Sequence, residues 1–144
     1  MKKKNWPFPT ALAAMLCCQP GHTVGWTEVT VEADTSFRLF VNMDSIHATH
    51  GLGAFRERKE FLRPQFTPDK KHLFVAAEAE GVVNCQDETL AYTGATLYSA
   101  QGTVVGQTHL PPSSWRFFDP ALGSGGNQEI EIVCASLDGA PEHP

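Results

Sequence analysis

The sequence predicts an α+β fold: about six antiparallel strands in one sheet, with a C-terminal helix packed on one face and tied to it by a disulfide. Three observations predict it. Successive segments between Trp26 and Thr108 alternate apolar and polar residues with the period of half-buried strands. One later stretch places Ile130, Val133, Cys134 and Leu137 at i, i+3, i+4 and i+7, a single helical face. Two cysteines, Cys85 and Cys134, remain once a leader is set aside. The chain has 144 residues, 42% hydrophobic and 19% charged, which gives room for one domain and excludes wholesale disorder. No apolar run reaches the roughly 18 residues of a membrane-spanning helix, so the chain is expected not to span a membrane.

The first residues read as an address. Lys2, Lys3 and Lys4 are followed by the apolar run Ala11–Cys18, the charged and hydrophobic regions of a signal peptide. Thr23 and Gly25 are small residues spaced for cleavage before Trp26, so residues 1–25 are expected to be removed. Lipidation at Cys17 or Cys18 is the alternative, but Ala14, Met15 and Leu16 match a lipidation site poorly. The expected location is the periplasm, the outer-membrane surface or the medium. Without the three lysines, 11 basic residues become 8 against 16 acidic ones, and net charge falls from −5 to −8. Such a chain has no electrostatic case for binding nucleic acid.

The thiols give the strongest physical inference. In an oxidising compartment a lone pair of cysteines tends to join. The Cys85–Cys134 bond closes a loop of about 50 residues, which is worth about 4 kcal/mol in the chain-entropy picture. Neither cysteine has a partner at zinc-site spacing.

Trp26–Ala33 sets Val29, Val31 and Ala33 against Glu28, Thr30 and Glu32, the first strand. Asp34, Thr35 and Ser36 break it. Phe37, Leu39 and Val41 then alternate with Arg38, Phe40 and Asn42. Met43–Gly53 is a polar connection. Gly53–Leu62 sets Phe55, Glu57, Lys59 and Phe61 against Ala54, Arg56, Arg58 and Glu60. So many charges suggest a strand facing water or lying at a sheet edge. Arg63–Lys71, with Pro64 and Pro68, reads as a loop.

Leu73, Val75, Ala77 and Ala79 alternate with Phe74, Ala76, Glu78 and Glu80, a fourth strand that ends near Cys85. Leu90–Tyr98 and Thr103–Thr108 form a hairpin about Ser99–Gly102. Pro111, Pro112 and Pro120 exclude long regular elements. Ser124–Leu137 is the helix, although Glu129-Ile130-Glu131-Ile132 alternates like a strand. With Cys85 at a strand end and Cys134 on the apolar helical face, their bond staples helix to sheet. Residues 26–137 form the domain and 138–144 a flexible tail.

In this frame the chain resembles the surface-adhesin protein E family of small exported Gram-negative proteins. The resemblance rests on Trp26-Thr27-Glu28-Val29, Phe40-Val41-Asn42 before Asp44-Ser45-Ile46, and Val83-Asn84-Cys85. It continues in Leu97-Tyr98, Gly102-Thr103-Val104-Val105, Trp115, Pro120, Ser124 and Val133-Cys134. The resemblance implies the same sheet and stapled helix, a homodimer, and adhesion to host extracellular proteins. Two departures fall at the helix start: Ala121, Leu122 and Gly123 intervene before Ser124, and Gly125 and Gly126 occupy the first turn.

Chemistry-bearing constellations are sparse. His47 and His50 with Asp44 could be weighed as metal ligands, but three groups in a polar loop lack a supporting shell, and neither a metal nor a cofactor is expected. No G-x-S-x-G elbow accompanies Ser113 and Ser114, and Glu78 with Glu80 or Glu129 with Glu131 read as solvated faces. A non-enzymatic protein follows. Trp115, Phe117 and Phe118 read as core beneath the helix. Arg56, Arg58, Lys59 and Arg63 form the candidate docking cluster for an acidic host protein or polysaccharide. An envelope accessory protein and a small-ligand carrier are the alternatives.

Overall fold

The computed structural model describes residues 25–139 apart from Ala33; the expected leader with Cys17 and Cys18, and residues 140–144 of the tail, lie outside the described residues. Seven strands build one sheet: β1 (Trp26–Val29), β2 (Phe37–Asn42), β3 (His47–Thr49), β4 (Leu52–Phe66), β5 (Leu73–Asn84), β6 (Thr89–Tyr98) and β7 (Val104–His109). The helix α1 spans Gly125–Asp138. The lateral order is β1-β2-β4-β5-β6-β7, every pairing is antiparallel, and β3 pairs β4 beside this path.

The polar connection after β2 is partly ordered. Asn42 accepts from the Asp44 amide at 3.1 Å and caps a short 3-10 turn, Met43–Ser45. β3 then reverses into β4 through His50 and Gly51, both with positive φ, the backbone that tight two-residue hairpins need. The expected loop after Leu62 begins later than the prolines suggest. β4 continues through Pro64 to Phe66, and the pairing with β5 shifts register between Glu60 and Gln65, where a proline without an N–H can sit.

The largest correction concerns β4. Its charges suggest a strand at an edge or facing water; it lies between β2 and β5, so the edge placement is overturned, while one of its faces does meet water. The alternation was right. Phe55 and Glu57 point to the helix side and are buried, and Arg56 is exposed on the other. A central position is stable because each face supplies partners for its charges: Glu60 and Glu78 for Arg58, and Glu57 for Lys59.

α1 starts where Ser124 accepts from the Asn127 amide at 3.3 Å. Its two glycines serve close approach. A Cβ on Gly126 would sit 3.1 Å from Pro120 and 3.2 Å from Leu90. The buried side is Phe55, Val83 and Leu90 from the sheet against Ile130 and Val133 from the helix. At the far end a Cβ on Gly53 would fall 2.6 Å from Val133. The Cys85–Cys134 bond, Cα–Cα 5.7 Å, fastens the last turns of α1 beside the end of β5.

Candidate interaction faces

The sheet has one face under α1 and one face open. On the open face, the register sets Glu28, Phe40, Arg58, Glu78 and Thr96 in one row across five strands. Arg38, Glu60, Ala76 and Tyr98 form the next row. Ion pairs link these rows into a ladder. Arg38 Nε meets Glu28 at 2.8 Å and Arg38 Nη1 meets Glu60 at 3.7 Å. Arg58 meets Glu60 at 3.2 Å and Glu78 at 3.0 Å, and Arg56 meets Glu78 at 3.1 Å. Three arginines thus answer three glutamates. The hydrogen bond from Arg38 holds the Glu28 carboxyl below its ordinary value. The guanidinium carbons of Arg38 and Arg58 lie 5.0 Å and 5.7 Å from the ring centres of Phe40 and Tyr98.

The predicted basic cluster is therefore divided. Arg56 and Arg58 share the open face and a glutamate partner. Lys59 lies on the helix side, 3.2 Å from Glu57. Arg63 is exposed near the far end of β4, outside every ion pair among the described residues.

The helix side holds a buried polar cluster that the pattern of charges concealed. Glu57 is 3% exposed and Glu129 is fully buried. Tyr92 donates to Glu129 Oε2 at 2.9 Å, while Glu57 Oε2 and Glu129 Oε1 have no hydrogen-bond partner among the described residues. Burial raises the Glu57 carboxyl above the ordinary range, partly offset by Lys59 and Tyr92. Burial, then the Glu57 charge, pushes the Tyr92 phenol far upward. The expectation of a solvated Glu129 is corrected: it precedes Val133 by four residues, so it shares the core-facing stripe of α1. That spacing was the available signal.

Other sequence candidates separate as well. His47 Nδ1 lies 2.8 Å from the Ser45 carbonyl and His50 Nδ1 lies 3.0 Å from the Thr49 hydroxyl, so each ring has its own local partner. The described residues contain no cluster of three or more His, Cys, Asp or Glu side chains suited to a metal ion. The aromatic trio is not core beneath the helix. Phe117 and Phe118 are each 44% exposed, because backbone hydrogen bonds between Phe118 and Leu90 fix this segment along the sheet. Only Trp115 is half-buried, donating to the Leu110 carbonyl at 2.9 Å. Among the described residues no helix is long and apolar enough to cross a membrane.

A single sheet, half covered by a disulfide-tied helix and presenting a paired-charge surface on its other side, defines a small disulfide-stapled α+β protein. The surface-adhesin protein E family model matches residues 26–135, and the chain belongs to that family. The fold agrees with Haemophilus influenzae protein E: TM-score 0.52 at 11% identity, covering 80% of this chain and 97% of that one. The selenomethionine form of the same protein gives TM-score 0.54 at 12% identity, covering 80% and 89%. A second crystal form gives 0.52 at 11%, covering 78% and 98%. Curated protein sequences yield no match.

Proposed function

We propose that this chain is an exported, non-enzymatic surface protein that binds an extracellular host protein or polysaccharide through the open face of its sheet. Residues 1–25 act as the export signal, and the domain from Trp26 to Leu137 is the mature binding unit. The observation that carries this reading is the exposed ladder joining Arg38, Arg56 and Arg58 to three glutamates, with Phe40 and Tyr98 against two of the guanidinium groups. Arginine and aromatic side chains held in place are the groups that dominate protein interfaces. Arg56 and Arg58 contact the partner, Arg63 extends the contact, and Lys59 supports β4 from behind. A carrier role is less well supported, since Phe55, Val83, Leu90, Ile130 and Val133 fill the space between helix and sheet.

The test is capture of the purified mature domain on immobilised matrix proteins and on sulfated polysaccharide. Saturable binding is expected on at least one surface. Joint Arg56→Ala and Arg58→Ala substitution is expected to weaken it about tenfold. Wild-type affinity in that variant removes the arginines from the account, and no binding to any surface overturns the function.

A further inference from the structure

We infer that the hollows meeting at Glu80 on the open face receive a cationic side chain, a lysine ammonium or an arginine guanidinium, from the host protein. This deepens the interaction reading above and rests on it.

Two hollows meet at Arg56 and Glu80. The larger, about 440 Å³, passes Asp44, Ser45, His47 and Thr93. The smaller, about 220 Å³, passes Thr96, Gln107 and His109. They exist because of two local features of the sheet. Gly94 pairs Glu80 on one side and His109 on the other, and it has no side chain to fill the surface between them. Pairing of β5 with β6 also slips between Glu80 and Gly81, which leaves Thr93 as an extra residue. Such bulges commonly re-aim a side chain toward a functional site. Thr93 is 6% exposed and lines the larger hollow.

Charge decides what fits. Arg56 is held by Glu78 at 3.1 Å, so its charge is already answered. Asp44 and Glu80 have no ion pair among the described residues. The hollows therefore carry uncompensated negative charge, on a chain of net charge −5. Carboxylate, hydroxyl and amide oxygens arranged around an empty volume match the N–H donors of lysine and arginine. The sequence, read through its arginines, pointed to an acidic partner. The unpaired carboxylates lie beside those arginines, so the partner surface that meets Arg56 and Arg58 places a basic side chain next to the groups they contact.

The experiment is an amide ¹H–¹⁵N titration of the mature domain with a hexapeptide alternating Gly and Arg, against one alternating Gly and Glu. The basic peptide is expected to shift Ser45, Glu80, Gly81, Thr93 and Gly94, and the acidic one is not. Glu80→Gln and Asp44→Asn are each expected to weaken the basic peptide several-fold, about tenfold for Glu80. Glu131→Gln, on the exposed side of α1, serves as the control and is expected to change nothing. Shifts elsewhere, an equal response to the acidic peptide, or undiminished affinity in both variants overturns the proposal. Failure here with intact matrix binding condemns the hollows alone; peptide binding without matrix binding condemns the functional reading alone.

Discussion

Tyr92 on β6 donates its phenolic O–H to Oε2 of Glu129 on α1 at 2.9 Å, the one side-chain hydrogen bond among the described residues that joins helix to sheet. Around it lie a second buried carboxyl, Glu57, and one ammonium, Lys59, whose Nζ sits 5.3 Å from the Phe37 ring centre and 5.5 Å from that of Tyr92. Two carboxyl groups and one ammonium therefore share this side of the sheet, with both carboxyls buried. Tyr92 and Glu129 thus join α1 to β6 five residues before Cys134, where the disulfide acts.

Stability should depend on pH through Glu57. Its carboxyl is raised above its ordinary value near 4.5, chiefly by burial. The folded form therefore holds its proton more tightly than the unfolded form. The stabilisation is complete below the unfolded value and is lost as pH rises through the folded one. Urea midpoints measured from about pH 4.5 to 8 should fall more steeply for wild type than for Glu57→Gln. Parallel profiles would show that Glu57 titrates as an ordinary carboxyl.

Tyr92→Phe leaves both oxygens of a fully buried Glu129 without a partner, which costs about 1–3 kcal/mol. Glu129→Leu removes the buried, half-satisfied carboxyl at similar volume and should be neutral or stabilising by about 1–4 kcal/mol. The double variant should lose less than Tyr92→Phe alone, because no carboxyl is left to satisfy. Chemical denaturation of the four proteins closes the cycle. A Glu129→Leu variant clearly less stable than wild type would mean that the carboxyl earns its place through partners beyond Tyr92.

Replacing Cys85 and Cys134 together with alanine should lower stability by about 4 kcal/mol, by releasing a loop closed over a separation of 49 residues. The signature is local as well as global. Amides in the last turns of α1 should exchange faster in the variant, since the bond is beside them. Unchanged exchange there would mean that Val133 and Leu137 alone seat the helix end.

The sequence made the strand faces legible and left their lateral places hidden. Period-two alternation tells which residues of β4 share a side, and Phe55, Glu57, Lys59 and Phe61 do. It carries nothing about which strands flank β4, because Arg58 finds Glu78 across 20 residues of chain. The helix was readable from Ile130, Val133, Cys134 and Leu137, whereas Gly125 and Gly126 looked like defects until Leu39, Leu90 and Pro120 were seen against them. The candidate docking cluster divides between the two faces for a simple reason. Lys59 is adjacent in sequence to Arg58, and adjacent strand residues point to opposite sides.

Gly53→Ala tests how closely α1 approaches the sheet. The added Cβ would lie 2.6 Å from Val133 and 2.9 Å from Leu137, both on the helix. Either α1 shifts or the side chains leave their rotamers, at a cost of about 1–3 kcal/mol. The measurement is the thermal midpoint, with Gly51→Ala as a poor control because its φ is positive and Ala54→Gly as a better one on the opposite side of β4.

Glu78→Gln removes the shared partner of Arg56 and Arg58. Stability should change by less than about 1 kcal/mol, because the pairs are partly solvated and Arg58 keeps Glu60. The binding consequence is larger. Two guanidinium groups lose their intramolecular answer, so retention on a sulfated polysaccharide column should increase and should fall again as salt rises. An envelope protein with no use for this face would show the small stability change and the same gain on the column, but no change toward any host protein. If the ladder holds the arginines in the geometry that a host protein reads, the same substitution weakens that binding while strengthening retention on the polyanion. Opposite signs on the two surfaces would mean that pairing orients the arginines for recognition; a gain on both would mean that it only masks them.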